Sequence, residues 1–113
     1  MHEYSVVQAL IGRVQREAAA RGATQVHKLR VSLGELSGVE PTLLLTAYET
    51  FRACTICADA PLDLRRVEAA WACPRCEIAI VRGAPLRCTI CGQPARLLHG
   101  DELVLESIDM EVP

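Results

Sequence analysis

Apolar residues recur at three- and four-residue steps near the start of the chain, at Val6, Val7, Leu10, Ile11, Val14 and Ala18. This spacing places their side chains on one face of a helix. We expect the helix to begin with Ser5 as its N-cap and to end near Arg21, because Gly22 suits the position just past a helix end.

The segment from Val26 to Leu33 alternates between apolar and polar residues, which is typical of a strand with one buried face. Its apolar set is Leu29, Val31 and Leu33, and its polar set is Lys28, Arg30 and Ser32. A second helix is predicted from Pro41, which suits a first helical position, to about Ala53. The apolar stripe of that helix consists of Leu44, Ala47, Tyr48 and Phe51.

Two further strands are predicted, one from Leu62 to Val67 and one from Leu103 to Val112, and residues 71–98 between them follow no regular period. We expect these two strands to pair as a long hairpin with the irregular lobe at its tip. The predicted fold is a small α+β domain, in which two helices pack on a roughly three-stranded sheet and a lobe is inserted between the last two strands. Residues 1–70 plus 99–113 would form the α+β domain, and residues 71–98 would form the lobe.

Composition limits the partners and the compartment. Half of the 113 residues are hydrophobic, and the formal net charge is −2. Proteins that bind nucleic acid usually carry a basic excess that neutralises phosphates, so no nucleic-acid partner is expected. No apolar run approaches the roughly 20 residues of a membrane span, and the start Met-His-Glu lacks the basic and apolar segments of a secretory signal. We therefore expect a cytoplasmic protein without a membrane span.

Six cysteines form three Cys-x-x-Cys pairs, at Cys54/Cys57, Cys73/Cys76 and Cys88/Cys91. Such pairs in a chain without a secretory signal indicate a metal or redox site rather than a disulfide framework. Any two pairs could supply four thiolates to one zinc ion in tetrahedral geometry. We favour the second and third pairs, which have 11 residues between them. Gly92 directly follows the third pair, and a glycine there lets the backbone point N–H groups at the sulfurs. Four cysteines leave no open coordination position, so the lobe is predicted to be a zinc ribbon with a structural zinc ion.

The first pair has several interpretations. Cys54 and Cys57 lie at the end of the second predicted helix, and no glycine follows them. We favour packing at the helix end, because a free cysteine behaves as a small hydrophobic residue. Redox chemistry and a second metal site are the alternatives. A thioredoxin-like site would need the pair at the start of a helix, where the helix dipole lowers the thiol pKa.

The N-terminal residues Met1, His2 and Glu3 offer a different kind of metal site. A free α-amine, the following backbone amide nitrogens and the His2 imidazole can chelate one metal ion in closely spaced rings. Nearly planar nitrogen coordination suits Ni(II) or Cu(II) better than Zn(II) or Mg(II). Taken alone, a Met-His terminus is weak evidence for a metal site, and an ordinary polar terminus that binds nothing is the favoured interpretation.

Several segments together resemble the HypA/HybF family of nickel-insertion accessory proteins for nickel–iron hydrogenase maturation. They are MHEYS at the start, LRVSLGELSGVEP in the middle, CPRC followed after eleven residues by CTICG, and the closing LESIDMEV. The match extends over essentially the whole chain in the same order. Of these pieces, the N-terminal MHE and the paired Cys-x-x-Cys motifs are the most specific.

The resemblance implies roles for individual residues. His2 matches the family's nickel-binding histidine, with the Met1 amine and the Glu3 backbone as accompanying ligands. Glu40 matches an acidic position near the nickel site. The residues that match the family's zinc ligands are Cys73, Cys76, Cys88 and Cys91, whereas Cys54 and Cys57 match no metal ligand.

The resemblance also implies a protein that is not an enzyme. Family members are metallochaperones, for which nickel is transient cargo and zinc is structural. The implied partners are a HypB-type GTPase and the hydrogenase large subunit, and some members also assist urease. The alternative function is a zinc-ribbon protein-interaction module without a nickel role. A thiol–disulfide enzyme is a third class, which the positions of the cysteine pairs disfavour.

Overall fold

A computed structural model of the chain describes residues 2–113, apart from the side chain of His2. In this part of the chain two helices and five strands follow one another. They are α1 (His2–Ala20), β1 (Gln25–Gly34), α2 (Pro41–Phe51), β2 (Leu62–Val67), β3 (Ala70–Ala72), β4 (Arg96–His99) and β5 (Leu103–Glu111). The predicted α+β class, with two helices, a three-stranded sheet and a cysteine-rich lobe between strands, is confirmed.

Helix α1 begins earlier than the sequence pattern predicted. Its first residue is His2, so the assignment of Ser5 as the N-cap is wrong. The extra turn is stabilised by tertiary packing, because the Tyr4 ring meets the Phe51 ring of α2 edge-on, with the ring centroids 5.0 Å apart. Local sequence does not reveal a contact of this kind between two helices.

Both helices are followed by a residue with left-handed backbone. Gly22, two residues after the end of α1 at Ala20, has a φ of +63°, as expected for a glycine that closes a helix. Helix α2 ends at Phe51 rather than near the predicted Ala53. Cys54 has a φ of +64°, and this conformation cannot continue a right-handed helix.

Strand β1 is the centre of the three-stranded sheet, whose order is β2-β1-β5. It pairs parallel with β2, with Leu29 opposite Leu62, and antiparallel with β5, with Leu33 opposite Leu103. The predicted hairpin between β2 and β5 is therefore wrong. Helix α2 carries the chain from the end of β1 back to its beginning, and a helical crossover of this kind leads to a parallel neighbour. β2 consequently takes one edge of β1 and leaves the other edge to β5.

The helices cover one face of this sheet. The buried residues of α2 include three of the four predicted for its apolar stripe, and the fourth, Phe51, is half-buried. The Tyr48 hydroxyl donates a 2.6 Å hydrogen bond to the Ala60 carbonyl, which satisfies the one polar atom of a fully buried ring. The other buried side chains of this core are those of Val7, Leu10, Ile11, Val14, Ala18, Val26, Leu29, Val31, Leu33, Leu44, Ala47, Cys57 and Ala60.

The opposite face of the sheet is polar. Lys28 Nζ lies 3.7 Å from Asp63 Oδ2 across β1 and β2. Ser32, predicted to be exposed on this face, is only 4% exposed, and its hydroxyl donates to Glu106 Oε1 at 2.8 Å. The register of β5 shifts beside Glu106, and a shift of this kind re-aims a side chain. The Glu106 carboxylate thereby reaches Ser32.

The lobe stands on a small sheet of its own. β3 and β4 pair antiparallel, with Ala72 opposite Arg96, and enclose the two cysteine pairs between them. The hairpin-like base of the lobe is thus formed by these short strands rather than by β2 and β5. Within residues 2–113 no helix is both long and apolar enough to cross a membrane.

The lobe joins the larger sheet at a close backbone contact beside the end of β1. The Gly34 N–H donates to the Glu102 carbonyl at 2.8 Å, and a Cβ on Gly34 would collide with the backbone of Gly100. Gly100 has a φ of +109° and lies against the backbone of Ala69. Both chain connections to the lobe, at Ala69 and at Gly100, therefore meet at one point. We call this contact the glycine junction.

Gly34→Ala is expected to lower the free energy of unfolding by about 1–3 kcal/mol, because the new side chain must displace the backbone of the neighbouring connection. Gly12→Ala is the matched control within α1. Its Cβ would meet only the end of the flexible Arg16 side chain, at 3.5 Å, so it should raise the free energy of unfolding by about 0.5–1 kcal/mol. Urea unfolding followed by circular dichroism measures both values. A Gly34→Ala protein as stable as its parent would contradict the close contact.

Candidate metal centres

The four cysteines of the second and third pairs converge in the lobe. The Sγ atoms of Cys73, Cys76, Cys88 and Cys91 all lie within 4.8 Å of one another. The sulfurs of Cys73 and Cys91 lie 3.5 Å apart. Sulfurs bonded to zinc at about 2.3 Å form a tetrahedron with edges of about 3.8 Å, so the donor atoms and their spacing fit such a site. No other group of three or more His, Cys, Asp or Glu side chains among the described residues is close enough to hold a metal ion.

The two turns that carry these cysteines point backbone N–H groups at sulfur. The N–H groups two and three residues after Cys73 donate to its Sγ at 3.4 and 3.2 Å. In the same way, the N–H groups of Ile90 and Cys91 donate to Cys88 Sγ at 3.4 and 3.5 Å. The Cys73 pKa is lowered chiefly by the Cys76 N–H, and the N–H groups of Cys91 and Ile90 lower the Cys88 pKa to about 6. The backbone therefore favours the thiolate forms of Cys73 and Cys88.

Crowding of the sulfurs acts in the opposite direction. The Cys76 pKa is raised to about 12, first by its interaction with the Cys91 sulfur, then by burial and by the Cys88 sulfur. Four thiolates at these distances repel one another unless a cation lies between them. A divalent cation with an affinity for sulfur removes this penalty, because it binds the thiolate form of each ligand. The residues present fit such an ion, and the four-cysteine group is a metal-binding site.

A residue with unfavourable backbone geometry follows the first cysteine turn. Gly92, predicted to allow the second turn, has a φ of +76°, and Glu77 occupies the matching position after the first turn with a φ of +61°. Their N–H groups donate to the carbonyls of Cys88 and Cys73 at 3.0 and 2.9 Å, respectively. A left-handed conformation costs a residue with a Cβ roughly 1–2 kcal/mol. The sequence carries a signal for this cost that the predictions did not use, because CPRCE has Glu77 where CTICG has Gly92.

The first cysteine pair lies beyond the end of α2 and is not part of the four-cysteine group. Cys57 is buried in the core, and this burial raises the pKa of its thiol. The interpretation as helix-end packing is therefore right for Cys57. It is wrong for Cys54, which is exposed. Neither belongs to a potential metal-binding group in the described part of the chain.

The structure brings together two of the residues predicted for the nickel site. The Glu40 N–H donates to Glu3 Oε2 at 3.4 Å, so the first turn of α1 lies beside the start of α2. The Glu40 carboxylate accepts the Leu43 N–H at 2.8 Å as the N-cap of α2, a role that sequence analysis missed. Met1 and the side chain of His2 lie outside the described residues.

A salt bridge absent from the sequence-based predictions joins the lobe to the loop between β1 and α2. Arg82, from the lobe, contacts both carboxylate oxygens of Glu35, with Nη1 2.8 Å from Oε1, and its Nε lies 2.9 Å from Glu68 Oε2. Glu35 Oε1 also accepts the Ala69 N–H at 2.8 Å. We call this set of contacts the Arg82 bridge.

The Arg82 bridge is insensitive to pH near neutrality. The Glu35 pKa is lowered from 4.5 to about 2, chiefly by the Arg82 hydrogen bonds and then by the Ala69 N–H. A carboxylate with a lowered pKa stabilises the fold above its ordinary pKa and loses that contribution as the pH falls through its folded value. The contribution of Glu35 is therefore complete above about pH 4.5 and is lost toward pH 2.

The sequence of this chain matches a known family almost from end to end. Residues 1–110 match the family model HypA, described as hydrogenase/urease nickel incorporation, metallochaperone. This chain belongs to the HypA family. Hydrogenase maturation factor HypA of Shewanella oneidensis is 38% identical over 113 residues, which cover 98% of this chain and 96% of the relative. The factor of the same name from Wolinella succinogenes is 37% identical over 114 residues, with the same coverage.

Solved HypA structures share the fold described above. The solution structure of the nickel metallochaperone HypA from Helicobacter pylori has 30% sequence identity, a TM-score of 0.74 and coverage of 98% of both chains. A second solution structure, of a HypA protein, has 32% identity and a TM-score of 0.78, with coverage of 97% of this chain and 96% of that one. Because coverage is nearly complete, the likeness includes the cysteine lobe as well as the larger sheet.

Glu77→Gly is expected to raise the affinity of the four-cysteine group for added Zn(II) about fivefold, because glycine adopts a positive φ without the steric cost of a side chain. Competition with a coloured chelator measures this affinity. Glu77→Gln is the matched control, since it removes the charge but keeps the unfavourable conformation. Equal zinc affinities for these two variants would show that backbone strain at this position has no effect on the site.

Proposed function

We propose that this protein is a nickel metallochaperone of hydrogenase maturation, which binds Ni(II) at its N-terminus and delivers it without catalysing a reaction. Membership of the HypA family supports this function. The observation that carries it is the 3.4 Å contact between Glu3 and the backbone of Glu40. These residues lie 37 positions apart, and the resemblance assigns both to one nickel site.

The proposed nickel ligands are the Met1 amine, the His2 imidazole and the Glu3 backbone, with Glu40 in a supporting role. Amine and imidazole nitrogens suit Ni(II), and both must be deprotonated before they bind it. The N-terminal end of a helix by itself favours anions over cations. The carboxylates of Glu3 and Glu40 offset this preference, because their negative charge favours a divalent cation nearby.

We propose that the second metal, held by the four cysteines, is a structural zinc ion. Four thiolates complete a tetrahedral shell and leave no position for a substrate. Residues 1–70 plus 99–113 would then handle nickel, and residues 71–98 would form the zinc lobe. The family resemblance supports a HypB-type GTPase and the hydrogenase large subunit as partners, and a cytoplasmic location.

A zinc-ribbon module that binds a protein partner and has no nickel role is the second candidate. The exposed aliphatic side chains of the lobe favour it, since Val81 and Ile90 are 76% and 73% exposed. This function predicts no nickel binding that depends on His2. Nickel titration therefore separates the two candidates.

Calorimetric titration of the native-terminus protein should show nickel binding that weakens roughly tenfold or more in His2→Ala and in a version with residues added before Met1, because each change removes a nitrogen ligand. Affinity should also fall below about pH 6.5, where imidazole takes up a proton. His27→Ala is the control, since His27 pairs with Glu111 on β5. Unchanged nickel affinity in both variants would show that the N-terminus does not chelate nickel.

Metal analysis should find zinc in the parent protein and none in Cys73→Ser/Cys76→Ser, because two hydroxyls replace two thiolates of a four-thiolate site. Cys54→Ser/Cys57→Ala is the control and should keep its zinc. If the control lost its zinc and Cys73→Ser/Cys76→Ser kept it, Cys54 and Cys57 would be the ligands and the proposed site would be wrong.

A further inference from the structure

We propose that Arg82 is a positioning residue for the N-terminal nickel site, which it reaches through Glu35 and the loop that presents Glu40. The proposal rests on the proposed nickel function, because it concerns the metal site of that function. Its structural basis is the Arg82 bridge together with the hydrogen bonds of residues 35–40. We call residues 35–40 the linking loop.

The linking loop is held at its beginning by the lobe and its connections, and by one backbone hydrogen bond to β2, from the Glu35 N–H to the Val67 carbonyl at 2.8 Å. The Glu35 carboxylate binds Arg82 and the Ala69 N–H. The Leu36 N–H donates to the Gly100 carbonyl at 2.7 Å. Ala69 and Gly100 are the two connections that meet at the glycine junction. A tilt of the lobe therefore displaces three contacts that hold the same two residues.

The far end of the linking loop touches the proposed nickel site. Glu40 caps α2 with its carboxylate and contacts Glu3 through its N–H. Between the two ends, the Val39 N–H donates to the Ser37 hydroxyl at 3.2 Å, which makes the turn compact. A displacement at Glu35 is thus passed along a short, internally bonded segment to a residue beside the N-terminal turn.

Apolar side chains between the lobe and the linking loop are loosely packed. A cleft of about 670 Å³ lies between the lobe and the linking loop. Leu36 lines it from the loop, and Val81 and Leu86 line it from the lobe, and all three are exposed. The angle of the lobe is therefore set by the glycine junction and by the Arg82 bridge. A guanidinium that binds two carboxylates defines a direction better than a single ion pair.

The exposure of the bridge limits the size of the effect. The side chains of Arg82 and Glu35 are 57% and 38% exposed, and exposed ion pairs contribute little individually. A coupling cannot exceed the free energy of the contacts that carry it. We therefore expect loss of the bridge to weaken nickel binding about two- to fivefold rather than to abolish it.

The test uses the full-length, zinc-loaded protein with its native terminus. Arg82→Ala should bind Ni(II) about two- to fivefold more weakly by calorimetry and should show faster amide hydrogen exchange in the linking loop. Arg96→Ala is the matched control, because it removes an exposed arginine of the lobe that has no ion pair with a described residue. Arg82→Lys should recover only part of the affinity, since an ammonium group lacks the two-pronged geometry.

The effect of nickel on the Arg82 bridge gives a second test, because a purely structural role of Arg82 would not make the bridge respond to nickel. If the bridge couples lobe and terminus, nickel must stabilise the bridge as much as the bridge stabilises nickel. Addition of Ni(II) should slow exchange of the Leu36 and Ala69 amides in the parent protein and not in Arg82→Ala. The same exchange rates with and without nickel in the parent would contradict the coupling.

Equal nickel affinity in Arg82→Ala and Arg96→Ala would overturn the proposal. If Arg82→Ala loses its zinc, Glu35→Gln decides the question, because Glu35 lies outside the lobe. Weaker nickel binding with zinc retained in Glu35→Gln supports the positioning role, and unchanged binding refutes it. If His2→Ala binds nickel as tightly as the parent protein, the proposed function itself is refuted. The His2→Ala variant therefore separates failure of the proposed function from failure of the Arg82 proposal.

Discussion

The contact between the backbones of Gly34 and Gly100 constrains how the two parts of this protein are joined. No side chain fits between them, so the end of the central strand, the entry to the lobe and the exit from it occupy one small volume. The chain turns from this point into the linking loop and then into α2. Residues that are distant in sequence, from Gly34 to Ala69 to Gly100, are consequently neighbours at the base of the lobe.

The lobe has little hydrophobic core beside its four-cysteine group. Val81, Leu86, Ile90 and Leu98 are exposed large aliphatic residues of this small segment, so burial of apolar surface supplies little of its stability. Bonds from four thiolates to one ion would define the two cysteine turns in place of a core. Such over-determination also explains how Glu77 persists in a left-handed conformation, since unfavourable backbone geometry survives where surrounding bonds enforce it.

Local patterns predicted the elements well and their partners poorly. The three-to-four-residue period and the alternation of β1 depend on each segment alone, so both helices and the main strands follow from them. The pairing of β2 with β1 depends on the crossover through α2, and the start of α1 depends on Tyr4 meeting Phe51. The convergence of four cysteines was predictable from spacing. The Arg82–Glu35 pair was not, because its residues lie 47 positions apart among many other charged residues.

Different chemistry at the two ends of the linking loop separates what pH controls from what the lobe controls. An imidazole ligand takes up a proton near pH 6.5, whereas Glu35 remains ionised down to a pH of about 2. Mild acid would therefore release nickel from the proposed N-terminal site while the Arg82 bridge stays intact. A partner that tilts the lobe would instead weaken nickel binding at constant pH, because it strains the linking loop. With a coupling of only a few-fold, such a partner would bias the transfer of nickel toward an acceptor with stronger ligands, and the acceptor's own affinity would complete it.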